Sequence, residues 1–376
     1  MTPATKITQP APVGARPVLY TGDIFRLQAR GGISRYFQEL IPRLQRRTRI
    51  VAGLHQSPAI RDRVIRAEAA RFMPAFRLSP RPRALFNEWI DSVRLRAGSG
   101  EILHPTYYRD PARLPGWPLV LTVYDMAHER FPALFRRQWW NSEDPARWKQ
   151  PLVARADRII CISESTRRDL IELLEVDERK TQVIHCGTTD WSTVTAEEIP
   201  GPSRPFFLWV GERHTYKNFA ATLAAWATTK AADATSILCV GGGALRPAEG
   251  EFASTLGVSD RVRQMTLRDS QLKWAYEHAV GLLYTSRCEG FGLPLVEAMS
   301  LRCPVITSNS SSMPEVAGEA AIYVDPVVPE SIREGIERCL TAGQDASMRE
   351  RLKARAALFS WEACARAHEA LYRELD

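Results

Sequence analysis

Short apolar runs alternate with longer amphipathic patterns along nearly the whole of this 376-residue chain. The runs are rich in β-branched residues and are bounded by turn-forming residues, which is typical of buried strands. We predict strands at residues 17–22, 49–54, 101–106, 119–125, 158–163, 182–187, 205–212, 235–243, 262–266, 279–286, 304–309 and 320–326. Amphipathic patterns such as those at residues 34–47 and 163–175 predict helices between them. Alternation of this kind favours parallel sheets with helices on both faces.

The alternating pattern falls into two blocks, separated by a polar, Pro-containing stretch at residues 195–205. A chain of this length is too long for one ordinary domain. We therefore predict an α/β protein with two doubly wound, Rossmann-like domains, one over residues 16–200 and one over residues 201–358. Residues 1–15 are rich in Pro, Ala and Thr and predict a disordered leader. Residues 359–376 predict a C-terminal helix that is able to cross back to the first domain.

The composition narrows the function classes. The seven cysteines are odd in number and none has CxxC spacing, so we expect reduced, mostly buried thiols and no metal site. No apolar run is long enough for a transmembrane helix, and the N-terminus lacks an apolar signal core, so we expect a cytoplasmic protein. The net charge of +7 indicates an anionic partner. A nucleic acid, a membrane surface and a phosphorylated small molecule are all partners consistent with that charge.

Arginine is concentrated between residues 61 and 96, around a predicted helix at residues 82–95. Helical spacing places Leu85, Phe86, Trp89, Ile90 and Val93 on one face. Basic residues beside an apolar, Trp-bearing face suit an anionic lipid surface. The alternative is an ordinary helix whose apolar face packs on the core and whose basic side is solvated.

The stretch RCEGFGLPLVEAM at residues 287–299 places two carboxylates around a strand-to-helix turn. Glu289 lies on the glycine-containing loop, and Glu297 lies about one turn inside a helix that Pro294 helps to begin. Ligands collect at the carboxyl ends of strands in open α/β sheets, and a helix N-terminus favours an anion. The pattern therefore predicts a site for a phosphate and a diol, with a purely structural turn as the alternative.

The stretch VGERHTYKNF at residues 210–219 also follows a predicted strand. Arg213 and Lys217 would neutralise a diphosphate where no metal is present. A solvated basic loop would have the same sequence features.

Two further stretches follow strands in the first block. Gly31 and Gly32 precede a helix and would offer backbone amides to an anion or a sugar. The G-x-G-x-x-G fingerprint is absent, so NAD binding is only weakly supported. Asp125 and His128 stand three residues apart just beyond a strand end, although a lone His is more often a surface or hydrogen-bonded core group.

Together these stretches resemble a retaining glycosyltransferase of family 4 with the GT-B fold. Residues 288–326 resemble the family's signature region, including its pair of glutamates, and residues 210–219 resemble its donor-phosphate motif. Residues 27–40 are similar to its N-terminal glycine loop. Residues 154–172 and 359–375 are also similar to the corresponding segments of that family, so the resemblance spans almost the whole chain.

The resemblance implies a role for each matching residue. Glu297 would bind the ribose of a nucleotide, Arg213 and Lys217 its diphosphate, and Glu289 the donor sugar at the reacting side. The catalytic set that it implies is Glu289, His128, Asp125, Arg213 and Lys217. The other donor-binding positions are Gly31, Gly32, Gly211, Asn218, Thr266, Leu267, Gly290, Phe291, Gly292 and Leu293.

One position departs from the family pattern. Many relatives have a His where this chain has Tyr124, and they use it near the donor sugar. Either His128, four residues on, or the Tyr124 hydroxyl would take that role here.

The resemblance implies a transferase that retains anomeric configuration, uses no protein nucleophile and requires no metal or other cofactor. A GDP-linked mannose or rhamnose-like donor is favoured, with a saccharide or lipid-linked saccharide as acceptor in cell-surface polysaccharide assembly. Peripheral association with the inner face of the cytoplasmic membrane is expected, and nucleic acid is not expected as a partner. The alternatives are a UDP-sugar-dependent transferase of the same fold and a non-catalytic subunit that binds a partner transferase.

Overall fold

The computed structural model describes residues 14–68, 70–73, 80–96, 100–139, 145–200, 204–213, 215–342 and 345–376. Residues 1–13 of the predicted leader lie outside them. All of the strands predicted from the sequence are confirmed, usually one to three residues shorter at the C-terminal end.

The first half is built on parallel strands in two three-stranded sheets. Its strands are β1 (Val18–Thr21), β2 (Thr48–Val51), β3 (Leu54–His55), β4 (Arg71–Phe72), β5 (Ile102–His104), β6 (Val120–Val123), β7 (Arg158–Cys161) and β8 (Thr181–Val183). The sheets have the orders β2-β1-β5 and β6-β7-β8, and a single parallel bridge between Leu103 and Leu119 joins them. Strands β3 and β4 form a separate pair.

The second half contains one continuous six-stranded parallel sheet. Its strands are β9 (Phe206–Val210), β10 (Ser236–Val240), β11 (Val262–Met265), β12 (Gly281–Tyr284), β13 (Val305–Ser308) and β14 (Ile322–Val324). Their order is β11-β10-β9-β12-β13-β14. From β9 the chain adds β10 and β11 toward one edge of the sheet, and then β12, β13 and β14 toward the other edge, so the order of strands reverses between β9 and β12. The loops that follow these two strands therefore meet at one edge of the sheet, where open α/β proteins bind ligands.

Helices cover the sheets of both halves. In the first half they are α1 (Asp23–Leu27), α2 (Gly32–Leu40), α3 (Pro58–Arg61), α4 (Pro80–Arg96), α5 (Ala127–Arg130), α6 (Pro132–Trp139), α7 (Lys149–Arg155) and α8 (Glu164–Leu174). In the second half they are α9 (Phe219–Ala227), α10 (Ala231–Ala234), α11 (Pro247–Thr255), α12 (Asp269–His278), α13 (Leu293–Ser300), α14 (Met313–Ala317), α15 (Pro329–Ala342), α16 (Ala346–Ala356) and α17 (Trp361–Arg373). Helix α2 ends sooner than the pattern at residues 34–47 predicts, because Pro42 cannot donate a helical hydrogen bond and a 3-10 turn follows.

The last helix, α17, packs against the first half although it follows the second half in sequence. Arg46 Nε donates to Glu369 Oε2 at 2.9 Å, and the Arg46 side chain is fully buried. The Tyr36 hydroxyl lies 2.7 Å from His368 Nε2. Burial lowers the pKa of His368 to about 4, so this imidazole is neutral in the interface. Helix α17 thus ties the two halves together.

Helix α4 presents its apolar face to the outside of the molecule, opposite to the core-facing alternative. Leu85 (66% exposed) and Trp89 (58% exposed) point outward, as do Phe86 and Val93. The inward side instead has Asn87, whose amide hydrogen-bonds the backbone of Leu54, and Asp91, which accepts from Arg26 and Arg109. The core-facing alternative is wrong because the apolar side chains are exposed, while the inward polar groups are hydrogen-bonded to the rest of the first half. Of the predicted apolar face, only Ile90 packs on the core.

The seven cysteines are free and buried, as expected. Among the described residues, no helix is both long and apolar enough to cross a bilayer.

Candidate active site

The loops after β9 and β12 bring Lys217 and Glu289 together. Lys217 lies in a 3-10 turn at Thr215–Lys217, and its Nζ is 2.8 Å from both carboxylate oxygens of Glu289. Burial disfavours the ammonium, but the Glu289 carboxylate outweighs that effect and holds the pKa of Lys217 well above its usual value. Lys217 is therefore charged at neutral pH, and 21% of its side chain is exposed.

The loop that carries Glu289 is fixed by two serines. Ser311 Oγ accepts from the Glu289 amide at 3.2 Å and donates to the Glu289 carbonyl at 2.7 Å. Ser312 Oγ donates to the same carbonyl at 2.8 Å. Because the backbone is held on both sides, the carboxylate is oriented before any ligand arrives.

Helix α13 begins where the two halves touch. Gly292, directly before it, has φ +95°, which a larger residue would adopt only with strain. A Cβ on Gly32 of the first half would lie 3.6 Å from Leu293 Cδ1, so the two predicted glycine loops meet here. A Cβ on Gly290 would lie 1.5 Å from the Tyr124 carbonyl oxygen. Glycine at position 290 is therefore required for this close approach of the two halves.

Phe291 lies in the same loop, but its side chain points away from the site. It is 2% exposed and packs against the rings of His185 and Phe359. Its backbone, rather than its ring, is the part available to a ligand at the start of α13.

Glu297 lies one turn inside α13, as predicted, and it is 6% exposed. Its Oε1 accepts from Thr189 Oγ1 at 3.1 Å and from Arg35 Nη1 at 3.4 Å. Its Oε2 accepts from the Tyr276 hydroxyl at 3.2 Å. Burial raises the pKa of Glu297, and the Arg35 charge and these hydrogen bonds oppose that rise.

The structure does not place Arg213 as the resemblance implies. Its guanidinium donates to the carbonyls of Gly241, Gly242, Gly243 and Ala244, and to Glu249 Oε2 at 3.2 Å. Its side chain is 1% exposed. All of the guanidinium nitrogens thus have acceptors, in the loop after β10 and on Glu249 of α11. This leaves Lys217 as the cation of the predicted pair that faces Glu289.

Gly211 and Asn218 shape the loop after β9. Gly211 has φ +120°, and its amide donates to the Val240 carbonyl at 2.9 Å. Asn218 Nδ2 donates to the carbonyls of Thr285 and Pro326, at 3.2 and 2.8 Å. Asn218 is buried, so both residues fix the position of Lys217 through the backbone.

Thr266 and Leu267, the predicted base-binding residues, follow β11 at the same edge of the sheet. Thr266 is exposed and Leu267 is buried. Asp269, at the start of α12 just beyond them, contacts Arg35 of the first half.

The Tyr124 hydroxyl donates to the Thr106 carbonyl at 2.9 Å, inside the first half. Tyr124 is 5% exposed, and burial holds its pKa well above the usual value. His128 lies on α5 with its ring against Phe135, and α5 packs against Cys288, the neighbour of Glu289. Asp125 accepts from the amide of Ala127 and so caps that turn.

Two residues at the boundary between the halves were not predicted. Arg35 reaches Glu297 and Asp269, and Glu315 accepts from the amides of Glu164 and Ser165 at the start of α8. The only sequence signal for Arg35 is its place one turn after Gly31 and Gly32, and no local pattern marks Glu315.

Within the described parts of the chain, no group of three His, Cys, Asp or Glu side chains is arranged to hold a metal ion. For an anion, the site offers the Lys217 ammonium and the backbone amides at the start of α13.

Known protein families match both halves of the chain. A model described as "Glycosyltransferase Family 4" matches residues 30–190, and one described as "Glycosyl transferases group 1" matches residues 196–359. The chain belongs to the family 4 glycosyltransferases. The predicted GT-B fold, with two Rossmann-like halves, is confirmed.

The curated relatives of this glycosyltransferase are similar over parts of their length. It is 44% identical over 100 residues to "O-antigen chain mannosyltransferase B" of Escherichia coli, which is 26% of each chain. It is 26% identical over 198 residues to "O-antigen chain mannosyltransferase RfbU" of Salmonella typhimurium, 49% of this chain and 51% of the relative. The matches thus span about a quarter to a half of these relatives.

The fold, in contrast, matches solved structures over nearly the whole chain. The crystal structure of WaaG, described as a glycosyltransferase involved in lipopolysaccharide biosynthesis, superposes with a TM-score of 0.68 at 15% identity. The match covers 94% of this chain and 99% of WaaG. At this identity the likeness concerns the fold.

Proposed function

We propose that the protein transfers a hexosyl group, mannose or a related sugar, from a GDP-linked donor to a saccharide or lipid-linked saccharide in surface polysaccharide assembly. The observation that supports a nucleotide-diphosphate donor is the arrangement of Lys217, Glu289 and Glu297 around the start of α13. The spacing along the helix suits a diphosphate at its N-terminus and a ribose one turn further in. The names of the relatives from Escherichia coli and Salmonella typhimurium support mannose as the sugar.

In the proposed reaction the anomeric carbon loses its bond to the donor phosphate oxygen and gains one to the acceptor hydroxyl on the same face. The departing phosphate takes the acceptor proton, so no protein base is needed. Lys217 and the amides at the start of α13 stabilise the negative charge that develops on the diphosphate. Glu289 orients Lys217 and lies on the donor-sugar side of it.

His128 is proposed to approach the donor sugar in place of the His that many family members have. The packing of α5 on Cys288 supports this choice, because it places the His128 helix beside the Glu289 loop. The Tyr124 hydroxyl is a poorer candidate, since it donates to a carbonyl of its own half.

We also propose that the first half rests on an anionic membrane from the cytoplasmic side, where a lipid-linked acceptor would lie. The outward face of α4 has large apolar side chains, and exposed arginines such as Arg63, Arg66 and Arg94 belong to the same segment. An amphipathic helix of this composition inserts its apolar face between lipids, and the basic residues pair with anionic headgroups.

The donor is tested by thermal unfolding with GDP, UDP, ADP and dTDP, because a ligand that binds only the folded state raises its apparent stability. GDP is expected to raise Tm selectively, and GDP-mannose is then tested for transfer to acceptor saccharides. Selective stabilisation by UDP would overturn the GDP assignment. A lack of response to every nucleotide would favour the non-catalytic subunit.

A further inference from the structure

Arg35 belongs to the first half, but its guanidinium reaches side chains of the second. It is on α2, one turn after the glycine loop, and it lies 262 positions before Glu297 in the sequence. Nη1 donates to Glu297 Oε1 at 3.4 Å and to Thr189 Oγ1 at 3.1 Å. Nη2 donates to Asp269 Oδ2 at 2.7 Å. One guanidinium therefore holds two carboxylates of the other half.

Among the hydrogen bonds of the described residues, one acceptor position on Glu297 Oε2 is not used. A carboxylate oxygen accepts about two hydrogen bonds. Oε1 already has two donors, Arg35 and Thr189, whereas Oε2 has only the Tyr276 hydroxyl among the described residues. A ribose hydroxyl can therefore donate to Oε2 without displacing Arg35, so Arg35 and a nucleotide are compatible.

The charge of Arg35 also affects whether Glu297 is ionised. The charged or titratable groups that face Glu297 are Arg35 from α2 and Asp269 and Tyr276 from α12. Burial raises the pKa of Glu297, Arg35 and Tyr276 lower it, and Asp269 raises it. Arg35 is the one cation in this set, and an ionised carboxylate accepts hydrogen bonds more strongly than a protonated one.

We infer that Arg35 is a positioning residue of the donor site, which orients the Glu297 carboxylate for the ribose hydroxyls. The ribose site is then complete only when the two halves are closed on each other. This rests on the proposed function, in which Glu297 binds the ribose.

The experiment compares GDP affinity by calorimetry between pH 5.5 and 8 in the wild type, Arg35→Gln, Arg35→Lys and Arg43→Gln. Arg43 is a matched control because it also pairs across to α17, with Glu362 at 2.9 Å, but does not touch Glu297. Arg35→Gln is expected to weaken GDP binding about tenfold at pH 7. Without Arg35 the pKa of Glu297 is higher. As the pH is lowered, Arg35→Gln should therefore lose GDP binding at a higher pH than the wild type does. Arg35→Lys should restore part of both effects, and Arg43→Gln should behave as the wild type.

Wild-type affinity and pH profile in folded Arg35→Gln would overturn the inference, as would an equal loss in Arg43→Gln. Glu297→Gln separates this failure from failure of the proposed function. If Glu297→Gln weakens GDP binding while Arg35→Gln does not, only the role of Arg35 is wrong. If Glu297→Gln binds GDP as the wild type does, the ribose assignment itself is wrong.

Discussion

Two lysine–glutamate pairs with nearly the same geometry lie in the two halves of the molecule. In the second half, Lys217 Nζ is 2.8 Å from Glu289, and in the first half Lys149 Nζ is 2.8 Å from Glu129 Oε2. The Lys149 side chain is 2% exposed, whereas that of Lys217 is 21% exposed. Lys149 also donates to the Asp125 carbonyl and lies over the Tyr108 ring. The lysine of the pair is enclosed by the fold in the first half and partly exposed in the second.

This comparison shows that a buried ion pair alone does not identify an active site. The position of the pair in the fold decides its use. Lys217 and Glu289 follow the two strands at which the order of the sheet reverses, and they lie beside a helix N-terminus. Lys149 is the first residue of α7, and its hydrogen bond to the Asp125 carbonyl holds the loop before α5 in place.

The largest expected effect is that of Lys217→Ala on transfer. Removing one preorganised charge from the leaving group lowers kcat by about a hundredfold to thousandfold. The measurement is steady-state transfer with saturating acceptor, together with circular dichroism to establish that the variant is folded. Transfer within a factor of about three of the wild type would contradict the role of Lys217 as the phosphate cation.

Lys149→Ala is the matched variant in the first half. It leaves Glu129 partly buried without its cation, so we expect a loss of about 3 kcal/mol in the free energy of unfolding. Transfer per folded molecule should fall much less than in Lys217→Ala. Urea unfolding measures the loss of stability, and transfer rates per folded molecule measure the loss of activity. Equal loss of rate in the two variants would remove the distinction between the pairs.

Arg213→Gln tests whether the second cation of the motif is structural. Because Arg213 binds four loop carbonyls and Glu249, its loss should lower the free energy of unfolding by about 2 kcal/mol. The donor KM should rise because the neighbouring loop loosens, while kcat changes less than in Lys217→Ala. An unchanged stability with a kcat as low as that of Lys217→Ala would instead indicate that Arg213 moves to the diphosphate when the donor binds.

The smallest expected effect concerns the outer surface of the first half. Leu85→Ala with Trp89→Ala should reduce co-sedimentation with anionic vesicles by about tenfold, because apolar area is lost from the bilayer interface. Leu358→Ala is the matched control in the second half, since Leu358 and Leu85 are both 66% exposed. If the control loses vesicle binding, or if the double variant keeps it, α4 is not the membrane-facing surface.

Much of the second half could be predicted from the sequence. The strands, the start of α13 after Gly292 and the position of Glu297 one turn later follow from local spacing, because strand and helix periodicity fix which residues share a face. The stretches at residues 210–219 and 287–299 were each predicted to follow a strand, and in a parallel sheet such loops lie at the same edge.

Only the tertiary structure decided which partner each charged side chain takes. Arg213 binds the loop after β10, Arg35 crosses to Glu297, and the apolar side of α4 faces outward because Asn87 and Asp91 are satisfied inside. A long charged side chain reaches any of several loops, and its choice depends on contacts between residues tens to hundreds of positions apart. Local sequence patterns therefore predicted the family and the framework of the site. The packing of the two halves against each other determined which cations remain available to a ligand.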